Sequence, residues 1–413
     1  MGKVQRVIDF FGLKRSIVGL LGMVILVGMG EKMADQFLPI YLLALGAAET
    51  MPGILGGINN LLSALYSLPG GYLAERFGTK KSLLIFNLIA MFGFIIVIVI
   101  PHWAAVLVGS VFFLSWTAIS LPATMGLVSK VLPKDKRTMG VTVHSLVRRI
   151  PMAIGPIMGG VLIDVYGTVK GVRFAFAGAL VLAVIAAVIQ QILIQDDRKE
   201  DKKPTKDLNP LGLLKYMSPE LKKLLIADIL IRFCEQIPAA YVVVWAMQTI
   251  ANPVDGTQFG ILRTVEMATA MLVYIPVAYL ADKGNKKPFV VMTFVFFTAF
   301  PAVLYFSKSF WMLVIAFVVR GLKEFGEPTR KALIMDLAPE DRKAGMFGLY
   351  YLLRDVLVSV SAFASGWLWL ASPKVNFLTA FVFGAIGTIW FAMAGKDTSK
   401  PIYVETAGKP TAK

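Results

Sequence analysis

The 413-residue chain has one cysteine, Cys234, and two histidines, His102 and His144. A lone thiol inside an apolar run excludes a disulfide framework and a cysteine-based metal site, and so few histidines leave no metal-ligating cluster. No Gly-x-x-x-x-Gly-Lys-[Ser/Thr] sequence occurs, so nothing marks a nucleotide-driven pump, and no grouping of side chains points to catalysis or to a cofactor. Charge is scarce as well. Asp, Glu, Lys and Arg make up 16% of residues, against about 25% in soluble domains, which excludes an ordinary soluble enzyme. What fills their place is apolar: 57% of residues are hydrophobic and the mean hydropathy is +0.70.

The apolar residues fall in runs long enough to cross a bilayer, which takes about 20 residues each. Breakers and charges mark twelve of them: 16–46, 51–74, 82–100, 104–131, 140–165, 173–195, 221–249, 258–281, 288–306, 311–336, 345–370 and 377–394. The first is over-long for about 30 Å of hydrocarbon, so it must tilt, bend or project. The expected fold class is an all-α membrane protein with the lipid bilayer as its surroundings. Lys3, Arg6, Lys14 and Arg15 precede the first run without a small-residue cleavage site, which reads as a retained end and not as a signal peptide.

The 42 Lys and Arg against 26 Asp and Glu give a formal charge of +16. In a soluble chain that excess would suggest nucleic acid; here the bases sit in the joints between spans, and no nucleic-acid partner is expected. The termini and every second joint hold 28 Lys and Arg, and the intervening joints hold 4. Positive charge stays inside, so both termini are expected in the cytoplasm of a cell whose inner membrane the chain crosses. The longest joint is Lys-rich and carries Pro204, Pro210 and Pro219. It divides the chain into a first half over 1–195, a central loop over 196–220, a second half over 221–395 and a tail over 396–413.

The halves are related. A shift of 206 positions lays Pro122 on Pro328, Asp135 on Asp341, Arg148 on Arg354 and Gly160 on Gly366, and a shift of 207 lays Tyr72-Leu73-Ala74-Glu75-Arg76 on Tyr279-Leu280-Ala281-Asp282-Lys283. With six spans per half, both copies run the same way through the membrane, giving a parallel repeat about the membrane normal.

The joint after the second span reads Gly71-Tyr72-Leu73-Ala74-Glu75-Arg76-Phe77-Gly78-Thr79-Lys80-Lys81. It resembles motif A of the major facilitator superfamily: a glycine, an acid–base pair, a second glycine and a basic pair, in the right joint and recurring around Asp282 and Lys283. The resemblance covers nearly the whole chain. It implies the fold of that superfamily, two six-helix halves that rock about a central site, and a latch in which Glu75 accepts from basic groups or faces the positive end of a helix. The superfamily usually has Asp where this chain has Glu75, and the second copy lacks one residue. In the fifth span, Gly155-Pro156-Ile157-Met158-Gly159-Gly160 is similar to the core of motif C of the superfamily's proton-driven antiporters; the alternative is a close helix contact of the kind small residues make in any bundle. The arginine those antiporters usually carry in the fourth span is missing from Phe112 to Val128, which counts against a simple drug exporter.

Ten basic residues fall inside spans: Lys32, Arg148, Arg149, Arg232, Arg263, Arg320, Lys323, Arg330, Lys331 and Arg354. Each costs at least about 2.5 kcal/mol at mid-bilayer, so they must pair or line water. The acids that face them are Glu31, Asp35, Asp228, Glu235, Glu266, Glu324, Glu327 and Asp355, with Asp164 and Asp336 nearer the ends. On the tenth span Arg320, Glu324, Glu327 and Lys331 fall on one stripe flanked by Lys323 and Arg330, as Asp228, Arg232 and Glu235 gather on the seventh. The resemblance implies that spans 1, 4, 7 and 10 line the cavity. Proton carriers are expected among Glu31, Asp35 and Glu235, because a desolvated carboxylate exchanges protons during a cycle. Lys32, Arg148, Asp228, Arg232, Arg320, Glu324, Glu327 and Arg354 are the substrate-cavity candidates, and more than half of all these charges are expected to be structural ion pairs. His144 reads as a packing histidine, with a proton relay as the alternative, and Trp245 as an interface anchor or a stacking surface.

The expected function is secondary transport of a small organic solute across the inner membrane by a monomer, with proton-coupled export first. The alternatives are an organic-anion or metabolite symporter or uniporter binding through Arg148, Arg320 and Arg354, and a non-transporting receptor or scaffold. Neither a metal nor a cofactor is called for.

Overall fold

The computed structural model describes residues 15–113, 120, 124, 147–195, 210–282, 285–339 and 343–396. Every element among them is helical, as a bilayer requires of a chain whose backbone polar groups must be satisfied within each segment. In order they are α1 (Arg15–Ala34), α2 (Leu38–Ala44), α3 (Met51–Phe77), α4 (Thr79–Val99), α5 (Trp103–Phe113), α6 (Arg149–Leu193), α7 (Pro219–Ala239), α8 (Val242–Val244), α9 (Gly256–Asp282), α10 (Lys287–Phe306), α11 (Phe310–Leu322), α12 (Glu327–Leu337), α13 (Lys343–Ala371) and α14 (Pro373–Ala394). Among the described residues, six stretches are long and apolar enough to span a membrane, seven if the bent pair α7 and residues 242–249 is taken as one. α6 is two rods joined at Gly167, where φ is 77°; this is the expected joint between the fifth and sixth spans.

Helix starts follow local chemistry. Ser218 accepts a bond from the Leu221 amide with Pro219 in the first turn, and Ser372 does the same for Val375 ahead of α14; a hydroxyl there satisfies a donor the helix leaves open. Breaks follow proline, which offers no amide and clashes with the carbonyl four residues back. Pro39 follows the single turn Asp35–Phe37 that separates α1 from α2 within one 30-residue apolar stretch. Pro328 opens α12 after a turn over 323–326, so the tenth span is not the continuous helix its sequence suggests. The seventh bends by 42° just beyond Pro238. Bulky side chains that point away from the bundle, such as Phe92, Val99 and Leu272, form the lipid-facing surface.

At one end of the bundle, here called the Gly46 end, the two halves meet backbone to backbone. A Cβ on Gly160 would strike the carbonyl of Gly256, and one on Gly366 would lie 2.7 Å from that of Thr50. The shift of 206 that relates Gly160 to Gly366 also relates Thr50 to Gly256, so these are repeat-equivalent contacts. α6 packs on α9, and α3 on α13, along the same seams.

Candidate functional site

Between the halves lies a cavity of about 330 Å³. Its walls come from the three proline-broken regions, with Lys32, Asp35 and Gln36 on the first, Gln236, Val242 and Val243 on the second and Arg320 on the third, joined by Asn59 from α3 and by Phe259 and Arg263 from α9. Breaking a helix at a proline frees carbonyls and turns side chains inward, and such irregular backbone persists in a membrane where it lines a cavity.

On the first wall Lys32 stands between two carboxylates. Its Nζ donates to Glu31 at 3.0 Å and to Asp35 at 2.6 Å, and Gln36 donates to the other oxygen of Asp35 at 3.0 Å. Asp35 faces the cavity, whereas Glu31 is buried behind it.

The opposite wall carries a denser network. Arg263 and Arg320 both lean on Glu266, Arg320 at 3.4 Å through its Nε. Lys323 reaches Glu235 at 2.8 Å and Glu266 at 3.6 Å, and Arg232 holds Glu235 at 2.6 Å and Glu327 at 3.6 Å. Deeper still, Arg330 pairs with Asp228 and bonds Glu327 at 2.7 Å, while Tyr350 donates to Asp228 at 3.1 Å and Arg354 lies 3.5 Å from it. Arg330 and Asp228 are each 1% exposed. Arg354 also bonds Asp355 at 2.6 Å, and the half-exposed Lys331 pairs with Glu327.

The break before Pro328 divides the expected stripe of the tenth span. Arg320 joins Glu266, Glu324 turns to Arg149 of the other half at 3.5 Å, and Glu327 faces Arg330 and Arg232. Thus the structure gathers Asp228, Arg232, Glu235, Glu327 and Arg354 in one network and puts Glu31, Lys32 and Asp35 in another. Arg148 lies beside Arg149 at the start of α6 and within electrostatic reach of Glu31. Arg263, which lines the cavity, and Glu266, buried behind it, are the charged residues that the sequence grouping passed over; both lay among the in-span charges, but only packing brings them to Arg320. Trp245 does not face the cavity. Its indole donates to the Leu304 carbonyl at 3.0 Å, within a cluster of Tyr305, Trp369 and Phe377.

The glycines of the fifth span make close helix contacts. Gly155 abuts Lys32 and Gly159 abuts the Met33 carbonyl, both at the first broken helix, and Gly160 meets Gly256. The proline of the cluster backs onto Gly260. Beside them Asp164 accepts from the amides of Gly256 and Thr257 at 2.7 and 2.8 Å and from the Thr257 hydroxyl at 2.5 Å. Tyr241 donates to the Glu49 carbonyl at 2.7 Å and accepts from the Gly53 amide, so the Gly46 end is sealed on both seams.

At the other end, Gly78 has φ 81° between α3 and α4, a conformation that needs glycine and reverses the chain in one residue. Lys80 donates to the Gln191 carbonyl at 2.7 Å, and Gln190 returns a bond to the Lys80 carbonyl, a basic group on the last carbonyls of a helix. Arg76 lies over the Phe77 ring, and Lys81 is exposed. Gly71 and Glu75 belong to α3 and Asp282 closes α9; the side chains of Glu75 and Asp282, together with Lys283 and His144, lie outside the described residues.

The sequence model of the Major Facilitator Superfamily matches residues 20–251 and 224–411. An uncharacterised MFS-type transporter of Methanocaldococcus jannaschii is 20% identical over 367 residues, covering 87% of this chain and 89% of its own. The quinolone resistance protein NorA of Staphylococcus aureus (strain MRSA252) is 24% identical over 306 residues, 72% of this chain and 75% of that one. Among solved structures, a mutant of a peptide transporter POT superposes with a TM-score of 0.77 at 14% identity over 92% of this chain and 94% of its own.

Proposed function

The chain belongs to the major facilitator superfamily, a family of secondary transporters and not of enzymes, and from that premise we propose that it exports a small organic solute in exchange for protons. The observation that carries this reading is Asp35. It sits at a proline-made break, faces the cavity between the halves, and shares one ammonium with Glu31. A proton arriving on Asp35 releases its hold on Lys32, which Glu31 retains, so the charge of that wall changes by one without leaving a bare ammonium. Lys32 then moves toward Glu31, and the wall that α6 touches through Gly155 and Gly159 moves with it. In this way protonation is tied to the seam on which the halves rock.

The proposal includes twelve spans in two parallel six-span halves, residues 1–195 and 221–395, acting as a monomer in a prokaryotic inner membrane with both termini in the cytoplasm. The Gly46 end is then external and the Gly78 end cytoplasmic, in keeping with where the bases lie. Outward transport is supported by the likeness to a protein named for quinolone resistance.

The test uses proteoliposomes with an imposed pH gradient and a panel of organic solutes. Asp35→Asn is expected to abolish gradient-driven movement while solute exchange at equal pH survives. Full gradient-driven transport in both Asp35→Asn and Glu31→Gln would move the proton site to Glu235, Glu324 or Glu327.

A further inference from the structure

The two cavity walls are not electrically alike. Around the second wall Arg232, Arg263, Arg320, Lys323, Arg330 and Arg354 stand against Asp228, Glu235, Glu266 and Glu327, six cations to four carboxylates. Adding Asp355, which bonds Arg354, makes six to five, and adding the half-exposed Lys331 as well makes seven to five, so cations outnumber carboxylates on each count. An uncompensated cation inside a membrane protein is costly unless it meets water or an anion.

The excess meets the cavity at Arg263 and Arg320, both of which line it. One carboxylate, Glu266, serves these two and Lys323 as well. The Nε of Arg263 is buried with no hydrogen-bond partner. Arg320 approaches Glu266 through its Nε at 3.4 Å, and its guanidinium carbon lies 5.0 and 5.8 Å from the ring centroids of Phe300 and Phe317, two rings set edge to face. A guanidinium offers a planar fork that receives a planar oxyanion with two parallel bonds. Leu55, Val243 and Phe259 supply apolar parts of the same lining. The cavity lies at the small end of the roughly 300–1,000 Å³ range of ligand pockets.

We infer that the transported solute carries a carboxylate or an equivalent planar anionic group, that this group docks on Arg263 and Arg320, and that its hydrocarbon body lies against Leu55, Val243 and Phe259. This rests on reading the cavity as the solute site. Bound there, the anion shares the load that Glu266 carries in the empty cavity, and it faces Asp35 across the same space, so anion and proton occupy opposite walls of one chamber.

The experiment measures thermal stabilisation of the full chain in phosphatidylcholine nanodiscs, which exclude anionic headgroups as a competing source. The probes are small aliphatic and aromatic carboxylates, each beside its primary amide and its amine analogue. Saturable stabilisation by carboxylates, absent for the matching amides and amines, is expected. Arg320→Gln should raise the half-saturating concentration about tenfold or more, and Arg320→Lys, which keeps the charge but loses the fork, should recover only part. Arg263→Gln and Arg263→Lys repeat the comparison independently, and the ligand-free melting temperature of each variant reports whether it folds. Stabilisation by amines or amides in preference to carboxylates, no response to any carboxylate, a response that needs anionic lipid, or carboxylate binding unchanged in folded Arg320→Gln and Arg263→Gln would each overturn the inference. The transport reading fails separately: a stabilising carboxylate that no pH gradient moves leaves the anion site intact and removes the coupling.

Discussion

Asp164 caps a helix that belongs to the other half of the molecule. Its carboxylate takes the amides of Gly256 and Thr257 and the Thr257 hydroxyl, so the first turn of α9 is completed from α6. An N-terminal cap is worth about 0.5–2 kcal/mol, and here that energy exists only while the Gly46 end is closed.

Asp164→Ala is therefore expected to favour the state open at that end. Asp164 is solvent-exposed, so the lower part of the range applies, and about 1 kcal/mol is roughly a fivefold shift in the two populations. With Cys234 replaced by Ser and Asn59→Cys introduced in the cavity wall, external labelling by an impermeant maleimide should speed up by that factor. Asp164→Asn keeps an acceptor and should fall between. Equal labelling rates in all three would show that the cap plays no part in closure.

A methyl group at Gly160 has no room. Its Cβ would collide with the Gly256 carbonyl, and overpacking costs about 1–3 kcal/mol. Gly160→Ala should thus wedge the seam, with faster external labelling at Asn59→Cys and slower transport. Unchanged rates for both would mean that α6 and α9 separate by some other seam.

The deep pair of Arg330 and Asp228 predicts a stability effect. Removing one partner of a buried ion pair costs about 3–5 kcal/mol, because the other is left uncompensated. Asp228→Asn and Arg330→Gln should each lower the melting temperature markedly, and the double variant should be more stable than the sum of the two predicts. Strict additivity would contradict the pairing.

Much of this was legible beforehand, in a particular way. Alternating bases, apolar runs and the repeat between Arg148 and Arg354 are properties of spacing, and the family match over both halves bears out the superfamily and its helical fold. The length of the first span called for a tilt, a bend or a projection, and its helix is interrupted at Asp35–Phe37. The division of the tenth was missed because a helical wheel assumes that the helix continues, and Pro328 stops it. Contacts such as Arg320 with Glu266, or Asp164 with Thr257, join residues far apart in sequence. No periodicity encodes them, since they depend on how one helix is rotated against another.

At the Gly78 end, Glu75→Gln tests the latch that the motif implies. A charge-assisted bond is worth about 1.5–3 kcal/mol where well formed. The variant should fold, transport more slowly, and label a cavity cysteine faster from the cytoplasmic side. Unchanged labelling and rate would reduce the joint to a topology signal.

The network around Asp228 also sets a timetable for synthesis. Asp228 and Arg330 are separated by 102 residues, which a ribosome working at about 5–20 residues per second covers in roughly 5–20 s. For that interval α7 carries Asp228, Arg232 and Glu235 with no cation from α12 or α13 beside them, so it cannot be released into lipid as a finished helix. The second half has to be held at the insertion machinery until its late helices arrive. Nascent chains truncated after residue 322 should remain crosslinkable to that machinery and be degraded quickly, whereas chains extended through residue 371 should escape both fates; equal lifetimes would show that α7 tolerates lipid alone.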